Sequence, residues 1–464
     1  MSDMNEVAPE VQKIVDELFA NAHKAASTFS GFEKDKVEAI VKAVAEAAQD
    51  KAEFYAEWAV RETGFGNVAD KHQKNLLNSI GLLDVLNVGD YVDPQVDDKK
   101  KIVSFPKPAG VVVALVPCTN PVTTIYYKAL ISLMTRNSVI LCPHPAAKEC
   151  CVHAAEYVAK IAERAGAPKG SIQVLTEPSI PLVNQLLQSD RTNVILATGG
   201  PAMVRAAYGS GNPAVGVGPG NVACYVDKTA DIATAGGQVV FSNSFDHSLP
   251  CTCESVVVAD KEISSQLKLA MTAAGAYFVA GEEEQKLRDF LFPEGIACVA
   301  AIGKSAEWMA DKAGFSVPEG TKSLVVEIDE ISIKDPVSKE KMFPVLGYIT
   351  VDGVGQGIAT ALAMLELMGK GHSAVIHAND PAVVARYGAA LPVCRIAVNT
   401  PGVVGSAGMT TNLTQGSVIG TGFFGRSSVD DNVGPKQLIQ WTRVAYHKEP
   451  DVEMGDMGAA LKTL

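Results

Sequence analysis

The sequence predicts an α/β protein of two doubly wound domains, and three observations carry that prediction. At 464 residues the chain exceeds what one hydrophobic core fills, so two or more packed domains are expected. Apolar residues at 47%, charged residues at 20% and 40 glycines fit a folded chain rich in tight turns, which excludes gross disorder and a small binding module. Short β-branched runs alternate with helical stretches twice along the chain, the pattern of parallel sheets covered by helices.

Each element follows from its local pattern. Apolar residues at Ile14, Val15, Leu18 and Phe19, then at Val37, Ile40, Val41, Val44 and Ala45, recur at helical spacing and predict two amphipathic helices, with a third over 54–62. The stretch 89–101 holds Pro94 and a charged run from Asp98 to Lys101, and reads as a solvated, protruding hairpin. A continuous β-branched run at 110–116 suits a strand buried on both faces. After it come a helix at 124–135, a strand at 138–142, a helix at 148–165, a strand at 171–175, a helix at 180–188, a strand at 193–198 and a helix at 202–208. The second rhythm has helices near 232–241, 263–274 and 358–367 and strands at 255–259, 323–327 and 373–377. The domain boundary is expected near Asp227, giving units 1–227 and 228–433; a final helix, a strand at 438–446 and a loosely attached tail fill 434–464.

Forty basic against fifty-two acidic residues give a formal charge of −12, a poor match to nucleic acid or anionic lipid. The longest apolar stretches, such as 109–117, are about half the roughly 20 residues that span a bilayer, and the polar N-terminus lacks a signal-peptide core. A cytoplasmic protein without nucleic-acid or membrane partners is expected. Nine cysteines without a C-x-x-C pair argue for reduced thiols over a disulfide framework.

The G-x-G-x-x-G fingerprint is missing from the first strand–helix turn, and its near match, Gly216 to Gly220, follows a helix and a turn. Asn193-Val-Ile-Leu-Ala-Thr198 followed by Gly199-Gly200-Pro201 is more informative, because Pro201 suits a first helical turn whose unpaired N–H groups favour a dinucleotide pyrophosphate. A plain strand-to-helix connection would use Gly-Gly equally well. Phe245-Asp246-His247-Ser248-Leu249-Pro250-Cys251-Thr252-Cys253-Glu254 precedes a strand and sets Cys251 on a loop, where reactive groups concentrate. Cys251 reads as a nucleophile, as a buried structural cysteine, or as part of a metal site with His247 and Cys253 that lacks a fourth ligand at sensible spacing.

The segment Phe245-Asp246, Leu249-Pro250-Cys251 and Glu254 resembles the catalytic-cysteine region of the CoA-acylating aldehyde dehydrogenases, the ethanolamine- and propanediol-pathway type and the aldehyde half of bifunctional alcohol/aldehyde dehydrogenases. Pro117-Cys-Thr-Asn120-Pro121, Leu133-Met-Thr-Arg-Asn137, Pro143-His144-Pro145, Ala197-Thr-Gly-Gly200, Gly216-Val-Gly-Pro-Gly-Asn221, Gly371-His372-Ser373 and Gly422-Phe-Phe-Gly425-Arg426 match in the same order, over about 11–446.

The resemblance implies a Rossmann-like cofactor domain, a catalytic domain and a β-arm. It implies that Cys251 attacks an aldehyde, that Asn120 and the Cys251 backbone N–H donate to the oxyanion, and that Glu340 holds the nicotinamide ribose. Thr119, Pro143, His144, Thr198, Gly199, Gly200 and Gly218 fall on cofactor-binding positions. His372 reads either as the base that deprotonates a coenzyme A thiol or tunes the site, or as a packed histidine beside a strand. His247 stands where the family more often has Asn, and would act on the acidity of Cys251 or on the pocket's shape.

Hydrolytic relatives carry a glutamate in E-L-G-G to activate water, whereas Gly216 to Gly220 here has no carboxylate. A thiol needs less activation, so coenzyme A is the expected acyl acceptor. Superfamily members that read the adenosine ribose often carry K-P-x-E, where this chain has Cys142-Pro143-His144-Pro145; the missing glutamate leaves room for NADP, and NAD is expected only as what the resemblance implies. Acetaldehyde or propionaldehyde is the expected substrate; succinic semialdehyde or sulfoacetaldehyde would need a cation such as Arg136, Arg395 or Arg426 facing the pocket. A hydrolytic enzyme and a non-catalytic thiol or metal-binding protein are the competing readings. No iron-binding histidine cluster is present, so a fragment of a bifunctional enzyme is disfavoured and the chain is expected to be complete without an alcohol-forming domain.

The resemblance also pairs the hairpin at 91–105 with 438–446 as an arm joining subunits of a homo-oligomer, a dimer or tetramer. In the tail Met454, Met457, Ala460 and Leu461 fall at helical spacing; some relatives in bacterial microcompartments carry a short amphipathic targeting helix at a terminus, and a frayed terminus is the other reading.

Overall fold

The computed structural model describes residues 9–449 and 453–463. The three N-terminal helices form as their periodicity predicts, over Pro9–Phe29, Lys34–Asp50 and Ala52–Thr63. A fourth, Val68–Leu77, is not visible as a hydrophobic pattern because its buried face is Lys71, Lys74 and Asn75. Its start is capped by the Asn67 side chain, which accepts from the Asp70 N–H at 2.9 Å.

Two wholly parallel sheets follow. The first has five strands in the order Ile172–Val174, Ser138–Pro143, Val111–Val116, Val194–Ala197 and Ala214–Gly216. All six residues of Val111–Val116 are buried, because helices cover both faces. Val112, Ala114 and Val116 join one core with Val41 and Leu130, while Val111, Val113 and Leu115 join the other with Phe19 and Leu186, the period-two division of a strand.

The second sheet has seven strands, ordered Ala276–Val279, Ser323–Glu327, Val345–Val351, Glu254–Asp260, Val222–Val226, Gly371–His377 and Val393–Val398. The expected boundary at Asp227 is corrected by this order. Val222–Val226 pairs with Glu254–Asp260 and Gly371–His377, so the chain changes sheet between Gly216 and Val222. A local β-branched run does not reveal which sheet it will join. The end of the second unit, expected at 433, is corrected as well, since Val418, Ile419 and Val433 pack into the first domain's core. The expected final helix is a short 3-10 turn, Pro435–Leu438.

The arm is a three-stranded antiparallel sheet in which Ile102–Pro108 lies between Gln95–Asp97 and Ile439–Ala445. Most of Ile439–Ala445 is solvent-facing, including Val444. In the tail, Met457–Leu461 is a helical turn with no buried residue; the linker's Pro450 lies outside the described residues. Among the described residues no helix is long and apolar enough to cross a membrane.

Candidate active site

A cavity of about 640 Å³ opens where the C-terminal ends of Val111–Val116, Ser138–Pro143 and Val194–Ala197 meet the loop carrying Cys251. Its size suits one bound small molecule or cofactor, and its place at the carboxyl ends of parallel strands is the usual one in α/β folds. Thr119, Asn120, Pro143, His144, Thr198, Gly199, Gly200, Gly218, Cys251 and Glu340 all line it. His372 does not; it is fully buried, on the strand Gly371–His377.

From there His372 reaches Cys251. Its Nε2 lies 3.1 Å from Cys251 Sγ, and its Nδ1 lies 2.9 Å from Ser373 Oγ. A tautomer with Nδ1–H donating to Ser373 leaves Nε2 free to accept the thiol proton. Burial, followed by the charge of Glu340, pushes the Cys251 thiol up to about 12. Burial, followed by Arg395, pulls His372 down to about 3. The pair rests as neutral thiol and neutral imidazole. Arg395 donates to the carbonyl of His372 at 2.8 Å and to those of Gly420 and Asp430, fixing the strand on which the imidazole is mounted.

Asn120 stands at the start of the helix Pro121–Met134. Its Oδ1 accepts from Lys74 Nζ at 2.6 Å, and its Nδ2 donates to Thr119 Oγ1 at 3.1 Å. Lys74 also pairs with the buried Asp246 carboxylate, as does Lys71 at 2.9 Å. Burial alone would raise Asp246, but the two ammonium groups outweigh it and hold the carboxyl below its usual range. Asp246, His247 and Ser248 have φ of 46°, 54° and 62°, a left-handed run that costs about 1–2 kcal/mol per non-glycine residue. The bonds to Asp246 from both lysines, and from the Asn67 N–H at 3.0 Å, hold that turn and set the approach to Cys251.

Gly220 packs directly against Cys251. A Cβ there would lie 2.2 Å from the Cys251 carbonyl oxygen, so only glycine permits the approach. The Gly220 N–H donates to Glu340 Oε1 at 3.2 Å, and burial raises Glu340 to about 7. Glu254, raised by burial to about 7, accepts from the Gly402 N–H at 2.8 Å and ties the turn Gly402–Gly405, with the cavity-lining Val403 and Val404, to the strand after Cys251.

Across the cavity, a Cβ on Gly200 would meet nothing within 4 Å, and no side chain caps the helix Pro201–Tyr208. Thr198 Oγ1 is buried without a protein partner. An open helix start, backbone free of side chains and an orphaned hydroxyl fit a dinucleotide's phosphates.

The aldehyde dehydrogenase family matches the chain over residues 3–289. The chain belongs to that family. Among curated relatives, the aldehyde-alcohol dehydrogenase 2 of Entamoeba histolytica is 37% identical over 94% of this chain and 52% of its own length. The acetylating succinate-semialdehyde dehydrogenase of Clostridium kluyveri is 34% identical over 94% of this chain and 97% of its own. A crystal structure of an acetylating aldehyde dehydrogenase from Geobacillus thermoglucosidasius superposes with a TM-score of 0.92 at 35% identity, covering 96% of this chain and 98% of that one. The chain spans about half the length of the bifunctional relatives it matches.

Three features of the site differ from the sequence reading. His247 does not line the cavity; its Nδ1 sits 2.9 Å from the Gly303 carbonyl. None of Arg136, Arg395 and Arg426 lines the cavity. Arg136 donates to the carbonyls of Ser30 and Pro106, and Arg426 is exposed. Lys71, Lys74 and the role of Asp246 were missed. Lysines at i and i+3 in the polar middle of a helix read as a solvated face, and only the tertiary contact with the strained turn reveals otherwise.

Proposed function

We propose that this aldehyde dehydrogenase converts a short, uncharged aldehyde and coenzyme A, with NAD or NADP, reversibly into the acyl-CoA. One observation carries the reading. Cys251, paired with His372, opens on a cavity lined by an amide donor and apolar side chains, and the segment Gly216 to Gly220 brings no carboxylate to activate water.

Cys251 Sγ attacks the carbonyl carbon while its proton passes to His372 Nε2, and Asn120 Nδ2 and the Cys251 N–H face the oxyanion. Pro143, His144, Thr198, Gly199 and Gly200 would hold the dinucleotide beside the sheet edge, with Thr119, Gly218 and Glu340 nearer the reacting end; the bound dinucleotide supplies a hydride acceptor. The thioester left on Cys251 is then attacked by the coenzyme A thiolate, and the departing Cys251 sulfur takes its proton back from His372. Phe245, Leu249, Val403, Val404, Ala407 and Met409 form an apolar wall suited to a short alkyl chain. The lining holds no arginine, and its ammonium group, Lys74, is already engaged by Asp246 and Asn120, which disfavours a carboxylate- or sulfonate-bearing aldehyde.

With aldehyde and NAD supplied, NADH is expected to accumulate only when coenzyme A is present. Omitting it leaves a burst of about one NADH per active site, because the acyl-enzyme waits for a thiol. Glu340 is the one carboxylate lining the cavity among the described residues. Sustained NADH production without coenzyme A, at the rate seen with it, would make Glu340 or another group the base for water and assign the protein to the hydrolytic class.

We also propose that the arm joins subunits. Its exposed strand Ile439–Ala445 offers an open edge, a hazard in a monomer that pairing with a second chain removes. Light scattering at micromolar concentration is expected to give a mass at least twice the 48.8 kDa of the chain, and a monomer would contradict this.

A further inference from the structure

The helix Val68–Leu77 brings two ammonium groups, Lys71 and Lys74, to the buried carboxylate of Asp246, while its own Asp70 accepts from the Asp246 N–H at 2.7 Å. Nζ of Lys74 is shared between Asp246 and Asn120 Oδ1, and Lys74 itself lines the cavity. An ammonium has donors and no acceptor, so it forces the orientation of the Asn120 amide: turned over, the NH₂ group would face three N–H bonds. Oδ1 therefore stays on Lys74, and the NH₂ end keeps one N–H on Thr119 Oγ1 and leaves the other for the cavity that Cys251 lines. A hydrogen bond from a cation to the amide oxygen also withdraws charge from the nitrogen and strengthens its N–H as a donor.

We propose that Lys74 is the positioning residue of the oxyanion site: anchored on Asp246, it fixes and polarises the Asn120 amide that faces the carbon Cys251 attacks. The proposal rests on the reading of Cys251 as nucleophile. It explains why the left-handed turn at Asp246, five residues before Cys251, is maintained: the turn presents the carboxylate that holds Lys74 in place.

The test uses the full-length enzyme and p-nitrophenyl acetate, whose acyl transfer to Cys251 needs the oxyanion site but neither dinucleotide nor coenzyme A. Lys74→Met is expected to slow the nitrophenolate burst by about 10- to 100-fold at unchanged amplitude, and Asn120→Ala by about 100-fold. The double variant should fall within about threefold of the slower single one, because both remove the same donor. Lys74→Arg should recover most of the rate. In the dehydrogenase assay Lys74→Met should lower kcat with less than about a threefold change in aldehyde KM. Should Lys74→Met fail to fold, Lys74→Gln, which still donates to Asn120 but has no charge, carries the same comparison. A burst within about threefold of wild type, or losses that multiply in the double variant, would overturn the proposal. Expected burst behaviour together with coenzyme A-independent NADH production would sink the acylating reading and leave the role of Lys74 standing. Strict coenzyme A dependence with an unaffected burst would do the reverse.

Discussion

Cys251→Ala is expected to lose acyl-CoA formation by about 10⁴-fold or more while keeping its fold and its affinity for dinucleotide. The variant removes the atom that bonds to the aldehyde carbon while keeping the Cβ and backbone of a half-buried lining residue, so the cavity loses a single sulfur atom. Cys253→Ala is the matched control. Cys253 is buried against Phe245 and Val403, so its loss leaves a small void and less than about a tenfold change in rate. Dinucleotide binding, followed by NADH fluorescence, should be the same in both variants. An active Cys251→Ala enzyme would end the covalent mechanism, and a Cys253 variant as inactive as the Cys251 one would point to a paired-thiol site.

His372→Ala is the second large effect, expected at about 10²- to 10⁴-fold on kcat near neutral pH. The size follows from the resting protonation states. With Cys251 raised to about 12 and His372 lowered to about 3, the thiol holds its proton across the whole working range. Nucleophilic attack then needs an acceptor at the moment of reaction, and the imidazole 3.1 Å away is that acceptor. The sign of the pH dependence is fixed by the same shifts. A raised thiol pKa means that alkylation of Cys251 by iodoacetamide should climb steadily from about pH 5 to pH 9. In His372→Ala the deficit in attack should shrink as pH rises, because hydroxide takes over the role of base. A flat alkylation rate over that range would reveal a preformed thiolate–imidazolium pair and overturn this account.

The positive charge on Arg395 helps explain why His372 stays neutral. Arg395 is itself buried and bonded to the His372 carbonyl, so protonating the imidazole would set two cations together in a desolvated layer. The imidazolium becomes affordable only while an oxyanion forms across the sulfur. That coupling favours proton transfer concerted with attack over a resting ion pair.

Much of this was legible in the amino-acid order, and the reason is local. Val111–Val116 announces a doubly covered strand because burial on both faces removes the need for polar residues, and the helix Ile180–Gln188 shows its apolar side at helical spacing. Cys251 and the Thr198-Gly199-Gly200 turn were candidates from their own local stretches, whereas Asn120 and Glu340 were named only through the family resemblance of the short motifs that contain them. The strands Val345–Val351 and Val393–Val398 and the helix Glu282–Leu291 were not read; the first carries Gly347 in its middle, and the last is dominated by charge.

Tertiary structure alone decided the rest. Whether Val222–Val226 closes the first sheet or centres the second depends on pairing energies between segments far apart in the chain, and no local pattern encodes them. The distance from His372 to Cys251 spans 121 residues of sequence, and the bond from Lys74 to Asn120 spans 46. Lys71 and Lys74 look like solvent-facing charges until Asp246 is placed against them, because a charged side chain becomes affordable in a core only when its partner and its hydrogen bonds are supplied by another part of the fold. Sequence alone named Cys251, Asn120, Glu340 and His372 as candidates. Their protonation states and mutual orientation were set by desolvation and by contacts that exist only once the two domains and the helix Val68–Leu77 have packed around the loop of Cys251.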